Sequence, residues 1–328
     1  MEPRRGKILS DVTKPTAHEL SLLFEKLHDC TLCPRECHAD RSTRKLGYCQ
    51  SGVGYGIGAI CLHHGEEPII SGKDGICNVF FTRCNMQCRF CQNYQISRNT
   101  GPIREQRLTL DEAVDQIERI LDRDATAVGF VSPSHFIPQM MAIIASLKLR
   151  GRKATFVMNT NAYDKVETLS MLEGAINVYL PDLKYMDEGL ALEYSDAPNY
   201  PQVATRALTE MFRQKGTKIE LDEDGTIRCG LIIRHLVLPG QVENSIECLR
   251  FVATDLSPDV HLSLMAQYHP IPAVSSHPTL GRTLDQEEYE EVLCEMDRLG
   301  FNRGFIQGLE SPETYLPDFS HPHPFEVR

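Results

Sequence analysis

From residue 76 onward, short β-branched or aromatic runs alternate with amphipathic stretches, which confines the chain to a parallel β/α architecture with both sheet faces covered. The runs are ICNVFFT (76 to 82), TAVGFVS (126 to 132), ATFVMN (154 to 159), INVYLPD (176 to 182), GLIIRHLVL (230 to 238) and VHLSLMAQ (260 to 267). Between them, TLDEAVDQIERILDR opens with Thr109 and Glu112 in capping-box spacing. Helical patterns also cover 137–149, 165–173, 203–215 and 245–254, and a last one, 285–299, follows the final run. Six units are too few for an eight-unit barrel. They predict an α/β fold, a partial (β/α)6 TIM-like barrel over 76–300. Asp224-Gly225 between two strand-like runs predicts a hairpin inserted before the fifth unit. Residues 1–75 lack the alternation and are read as an N-terminal cysteine-rich extension, and 301–328 as a C-terminal tail.

Composition narrows the partners. Lys and Arg number 34 against 45 Asp and Glu, a formal charge of −11, without a basic run. Nucleic acid and acidic membrane surfaces are therefore not expected. The first thirty residues lack an apolar signal segment and no stretch is apolar enough to span a bilayer, so a cytoplasmic location is expected. There, twelve cysteines are not explained by disulfides. GVGYGIGA (52 to 59) matches a GxGxxA pattern, but no strand precedes it and no helix follows, so its glycines are read as tight turns and close backbone approach. HPHP near the C-terminus is read as a proline-stiffened tail, and His63 and His64 as loop residues without a role.

The cysteines fall in two groups. CNMQCRFC places Cys84, Cys88 and Cys91 directly after the first predicted strand, at the edge where parallel β/α folds assemble their sites. Three readings compete: buried thiols, a zinc site completed by Cys77, or an iron–sulfur cluster with three protein ligands and one open iron. Cys30, Cys33, Cys37 and Cys49 form C-x2-C-x3-C-x11-C, four soft ligands that suit either zinc or an auxiliary iron–sulfur cluster. Cys229, Cys248 and Cys294 are scattered and read as small apolar side chains.

C-x3-C-x2-C with Phe90 before the last cysteine resembles the signature of the radical S-adenosylmethionine (SAM) superfamily. That resemblance implies a 4Fe–4S cluster on Cys84, Cys88 and Cys91 whose open iron chelates SAM, with Phe90 against the adenine. Other strand ends resemble motifs of the family's pyruvate formate-lyase activating enzymes. VSPSHFIPQ stands where the family has S-G-G-E-P, and its departure from Gly-Gly-Glu hands the SAM amino group to backbone carbonyls or to Ser132, Ser134 and His135. MNTNAY resembles D-T-N-G-F, with Asn159 in place of Asp and Asn161 retained. YLPDLKYMD resembles L-D-L-K-x-M-D and implies Asp182 and Lys184 at the SAM site, a structural salt bridge being the alternative. IIRHLVLPG is similar to I-R-Y-V-V-V-P-G, including Arg234, and MAQYHP to L-L-P-Y-H, which would set His269 beside SAM. The likeness to an uncharacterised branch grouped with these activating enzymes runs from residue 30 to about 300, through CTLCPRECHAD, HHGEEP, FFTRCNMQCRFCQNYQIS and RHLVLPG.

The resemblance implies a radical SAM enzyme that reductively cleaves SAM to methionine and a 5′-deoxyadenosyl radical, which abstracts hydrogen from an unassigned substrate. It also implies a flavodoxin or ferredoxin donor, which Arg83 and Arg89 could steer. An activase that installs a glycyl radical in a partner enzyme is one alternative. A non-catalytic zinc or iron–sulfur interaction protein is another, of a different class.

Overall fold

The computed structural model describes residues 16–43, 46–309 and 316–325. Ten strands are present among these: β1 (Tyr55–His63), β2 (Ile76–Phe81), β3 (Gln106–Leu108), β4 (Ala127–Val131), β5 (Thr155–Thr160), β6 (Val178–Pro181), β7 (Glu220–Leu221), β8 (Ile227–Leu236), β9 (His261–Met265) and β10 (Gly304–Ile306). Nine of them run in the order β10-β9-β8-β6-β5-β4-β2-β1-β3, and β7 pairs with β8 off this path. From β2 to β10 neighbours on this path are parallel. The sheet curls without closing, a partial TIM-like barrel whose six predicted strands all form. The helices follow the predicted order, and Thr109 and Glu112 make the reciprocal capping box.

Side-chain alternation sorts the strands into two surfaces. Cys77, Val79, Phe81, Val128, Phe130, Phe156, Met158, Ile233 and Leu264 face outward into the layer packed by the helices. Ile76, Ala127, Val157, Val178, Leu180 and Ile232 face inward, forming a dry plug with Ile70. Nearer the strands' C-terminal ends the inward positions turn polar, at Asn78, Asn159, Asp182, Arg234 and Ser263. Gly129 makes room for this layer, since a Cβ there would lie 2.1 Å from Asn78 Oδ1.

The extension and the tail differ from expectation. GVGYGIGA lies mostly in β1, which pairs antiparallel with β2, so the boundary at 75 and 76 separates two hydrogen-bonded strands. Two of its glycines serve close approach: a Cβ on Gly56 would meet the Thr82 hydroxyl at 2.6 Å, and one on Gly58 would meet Ile96 Cγ2 at 2.8 Å. The tail supplies β10, a seventh parallel strand. Gly225, in the left-handed region at φ +80°, turns the chain between β7 and β8 in the predicted hairpin.

Candidate functional site

The loop after β2 carries Cys84, Cys88 and Cys91, and its backbone is fixed from two sides. Asn99 accepts from the Cys84 amide (3.2 Å) and donates to the Cys84 carbonyl (2.9 Å). The Gln87 and Arg89 amides donate to Ser195 and Tyr194 carbonyls at 2.9 and 2.7 Å. Among the described residues no three His, Cys, Asp or Glu side chains already stand at metal-site spacing.

What fits these thiols to a metal is their donor set. Cys84 Sγ receives the Met86 amide (3.4 Å) and Asn161 Nδ2 (3.5 Å), Cys88 Sγ the Ser195 hydroxyl (3.0 Å), and Cys91 Sγ the Ser97 hydroxyl (3.3 Å). Sulfurs met by N–H and O–H donors are prepared to carry negative charge. Burial opposes that charge in the free thiols, raising Cys84 strongly and Cys88 to about 11, while Lys184 partly offsets it. A cation shared by all three sulfurs would remove the cost.

The predicted SAM residues divide by what already holds them. Asn161 is at the loop, bonded to both Cys84 Sγ and Asn85 Oδ1. Lys184 Nζ donates to Asp182 at 2.8 Å; burial disfavours its charge, but Asp182 and Cys88 outweigh burial and raise its pKa. Phe90 is buried with its ring 5.9 Å from Tyr268. Ser132 adopts a left-handed φ of +53°, and Ser134 meets the Thr160 hydroxyl at 3.2 Å. His135 is turned into the core: its Nε2 contacts the Thr82 carbonyl (2.9 Å), its ring packs on Phe136, and burial lowers its pKa to about 3. Its carbonyl accepts from Arg41 of the extension at 2.5 Å. His269 lines a separate hollow with Gln92 and Tyr94, and its Nδ1 is buried without a hydrogen-bond partner.

Arg234 is held by residues that sequence reading left without a role. Its Nε donates to Glu67 at 2.8 Å, and one terminal nitrogen contacts both Glu66 and Glu67. Glu66 also accepts from Asn78 at 2.7 Å. Burial raises Glu66, but Arg234 overrides it and brings the carboxyl to about 2. The sign of their importance was HHGEEP, an acidic pair placed directly before the apolar PII.

This ion triad forms one wall of a cavity of about 460 Å³ that Asn159, Phe80, Met265 and Gln307 also line. Gln92, one residue after Cys91, borders both this cavity and the His269 hollow. The C-terminal segment covers one side: Phe325 lies 4.2 Å from His63, and Phe319 packs edge-on to Phe80 at 5.4 Å.

The segment that carries the four N-terminal cysteines meets the cysteine loop through Arg35. Cys30, Cys33 and Cys49 are buried and Cys37 exposed, and burial raises Cys33 to about 12 with the other three adding to the rise. Between Cys33 and Cys37, Arg35 donates Nε to the Asn85 carbonyl (2.9 Å) and a terminal nitrogen to the Asp196 carbonyl. Its guanidinium covers the Tyr48 ring at 3.6 Å. Arg35 thus clasps the cysteine loop to the segment that presents Ser195.

An open parallel barrel with three donor-supported thiols at the C-terminal end of its first parallel strand defines a class of cofactor-dependent α/β enzymes. The Radical SAM superfamily model matches residues 78–252, more than half of the chain, and the chain belongs to that superfamily. Membership implies a 4Fe–4S cluster and SAM as cofactors. An uncharacterized protein of Methanocaldococcus jannaschii is 28% identical over 290 residues, 86% of this chain and 79% of that protein. Similar solved structures include a domain of a pyruvate-formate lyase-activating enzyme from Bacteroides vulgatus (17% identity, 52% of this chain and 93% of that one, TM-score 0.37). Methylornithine synthase is another (14%, 94% and 86%, TM-score 0.47), as is Streptococcus suis SuiB bound to S-adenosylmethionine (15%, 69% and 48%, TM-score 0.46). At these identities and scores none of them bears on substrate or partner. No helix among the described residues is long and apolar enough to cross a membrane.

Proposed function

We propose that this chain is a radical SAM enzyme whose Cys84, Cys88 and Cys91 hold the cluster and whose substrate is a small molecule received in the barrel cavity. When bound, the reduced cluster and SAM supply a 5′-deoxyadenosyl radical for hydrogen abstraction, chemistry that belongs to the cofactors. The protein binds, orients and excludes water. Asn161, Ser195 and Ser97 support the sulfurs; Asp182, Lys184 and Asn159 offer charge and hydrogen bonds at the strand ends; Phe90 offers an apolar face. With His135 turned into the core and Arg234 occupied by two carboxylates, the amino group of SAM falls to backbone carbonyls and the hydroxyls of Ser132 and Ser134. His269, with a free buried nitrogen, is retained as a contact. Cys30, Cys33, Cys37 and Cys49 would hold a second soft metal, zinc or an auxiliary cluster.

The observation that carries this reading is the donor to every sulfur of the cysteine loop. A cavity of about 460 Å³, lined on one side by Phe325, favours a small molecule over the glycine loop of a partner enzyme. The test is anaerobic purification with iron and zinc counted per chain, followed by dithionite and SAM. Wild type should release 5′-deoxyadenosine and Cys84→Ala should not; an iron-loaded wild type as silent as Cys84→Ala would sink the reading. Deuterium transfer into 5′-deoxyadenosine from a glycyl-radical enzyme labelled at its glycine would favour the activase instead.

A further inference from the structure

The polar layer inside the barrel holds side chains that the fold leaves uncommitted. Ser263 on β9 is only 2% exposed and lines the cavity, yet its hydroxyl makes no hydrogen bond among the described residues. Asn159 on β5 and Asn93, just after the cysteine loop, line the same cavity, and neither side-chain amide is hydrogen-bonded among the described residues. The cavity's glutamines are spent within the protein instead: Gln92 Nε2 donates to the Gln267 carbonyl at 2.9 Å, and Gln307 Nε2 to Gln267 Oε1 at 3.1 Å. Buried polar groups are normally paired, so a hydroxyl and two amides left open toward one cavity point to a ligand.

Charge on the cavity wall is also unbalanced. Glu66 and Glu67 share a single guanidinium, that of Arg234, and the nearby Asp182 is matched by Lys184 at 2.8 Å. His63 lines the cavity as well, but burial lowers its pKa, so it supplies no positive charge at neutral pH. One negative charge is left over. Each of the four carboxylate oxygens accepts one hydrogen bond, from Asn78 or Arg234, and has a lone pair for another. Phe80 and Phe325 add aromatic surface, their ring centres 5.6 Å apart, and such faces attract cations.

We infer that the cavity receives a small organic amine, bound as its ammonium ion by Glu66 and Glu67 and by the faces of Phe80 and Phe325, with Asn93, Asn159 and Ser263 meeting its other polar groups. This rests on the reading of the cavity as the substrate site of a radical SAM enzyme, and it names the substrate's chemistry. An ammonium brings three donors and one positive charge, so it fills open acceptor positions and balances the wall at once. A neutral ligand could do only the first, and an anion would add to the surplus. The Glu66 and Glu67 side chains are nearly buried, where unbalanced charge is costly until it is paired.

The test is calorimetric binding of benzylamine and of its neutral counterpart benzyl alcohol to the oxidised, iron-reconstituted protein saturated with SAM, in which nothing turns over. Benzylamine should bind about ten-fold more tightly than benzyl alcohol. Glu66→Gln removes the surplus charge while Arg234 stays paired with Glu67; it should abolish the preference and leave benzyl alcohol binding unchanged, which also shows that the variant is folded. Phe325→Ala should weaken both probes. A benzylamine affinity no better than that of benzyl alcohol, a preference that survives Glu66→Gln, or displacement of benzylamine by SAM would overturn the proposal. Charge-selective binding in a wild type that releases no 5′-deoxyadenosine with dithionite and SAM would instead refute the enzymatic reading.

Discussion

Arg234→Met tests whether the ion triad in the barrel is a structural necessity. Both carboxylates that surround Arg234 are nearly buried, with side-chain exposures of 10% for Glu66 and 6% for Glu67. Removing the guanidinium leaves two charges in a poorly solvated space, and breaking such an arrangement costs about 3–5 kcal/mol. The depression of Glu66 from 4.5 to about 2 gives a similar magnitude, about 3 kcal/mol at 1.36 kcal/mol per pKa unit. Because the folded pKa lies below the unfolded one, that stability is present above about pH 4.5 and fades as the pH falls toward 2. In Arg234→Met the burial of Glu66, no longer offset by the guanidinium, raises its carboxyl, so mild acid relieves the variant while wild type has not yet lost its pairing. The gap between the two should therefore narrow from pH 7 to pH 5. Thermal unfolding of the metal-free protein should show a drop on the order of 5–10 °C at neutral pH. Converting Glu66 and Glu67 to Gln in the same variant should restore most of it, since no buried charge then stands alone. A shift under about 2 °C at pH 7, or a gap that widens in acid, would refute this account.

Ser195→Ala removes the hydroxyl donated to Cys88 Sγ; one hydrogen bond of about 1 kcal/mol corresponds to about 40 mV for one electron, so the cluster's midpoint potential should fall by about that much in a redox titration followed by electron paramagnetic resonance. Arg35→Ala removes two hydrogen bonds to backbone carbonyls and a cation–π contact. It should speed iron release to a chelator by about ten-fold, with Arg35→Lys intermediate because an ammonium cannot bridge both carbonyls; an unchanged release rate would remove Arg35 from cluster support. Gly58→Val drives a branched side chain into Ile96, already 2.8 Å from the position of a Cβ. It should cost about 1–3 kcal/mol in chemical denaturation, and Ile96→Ala should rescue it.

The parallel strands were legible because each is a short apolar run bounded by polar or turn residues, and burial on both faces demands that pattern. β1 was hidden by Gly56 and Gly58, which lower strand propensity but are required where Ile96 and Thr82 press on the backbone. β10 was hidden by its length of three residues. Within the site, the cysteine loop was legible because its ligand types and spacing lie within eight consecutive residues. Ser195, Asn99 and Arg35 were not, since each reaches the loop across 107, 15 and 50 residues of sequence. The partners of Arg234 were invisible for the same reason: Glu67 is 167 residues away.

That last distance explains why the N-terminal extension cannot be regarded as an appendage. β1 pairs with β2, and the loop between them carries Glu66 and Glu67 to Arg234 on β8, so the extension supplies the charge that lets an arginine sit in the barrel. Arg41 takes the His135 carbonyl, at the loop whose glycines are missing, while Arg35 clasps the cysteine loop itself. The departures at Pro133, Ser134 and His135 therefore have a physical setting. A flexible Gly-Gly-Glu can shape itself around a ligand, whereas this stiffer loop is held in position from the extension by Arg41 and by Thr82, just after β2. Truncating the extension should accordingly cost more than a metal site: it removes at once the partners of Arg234, of the His135 carbonyl and of the cysteine loop.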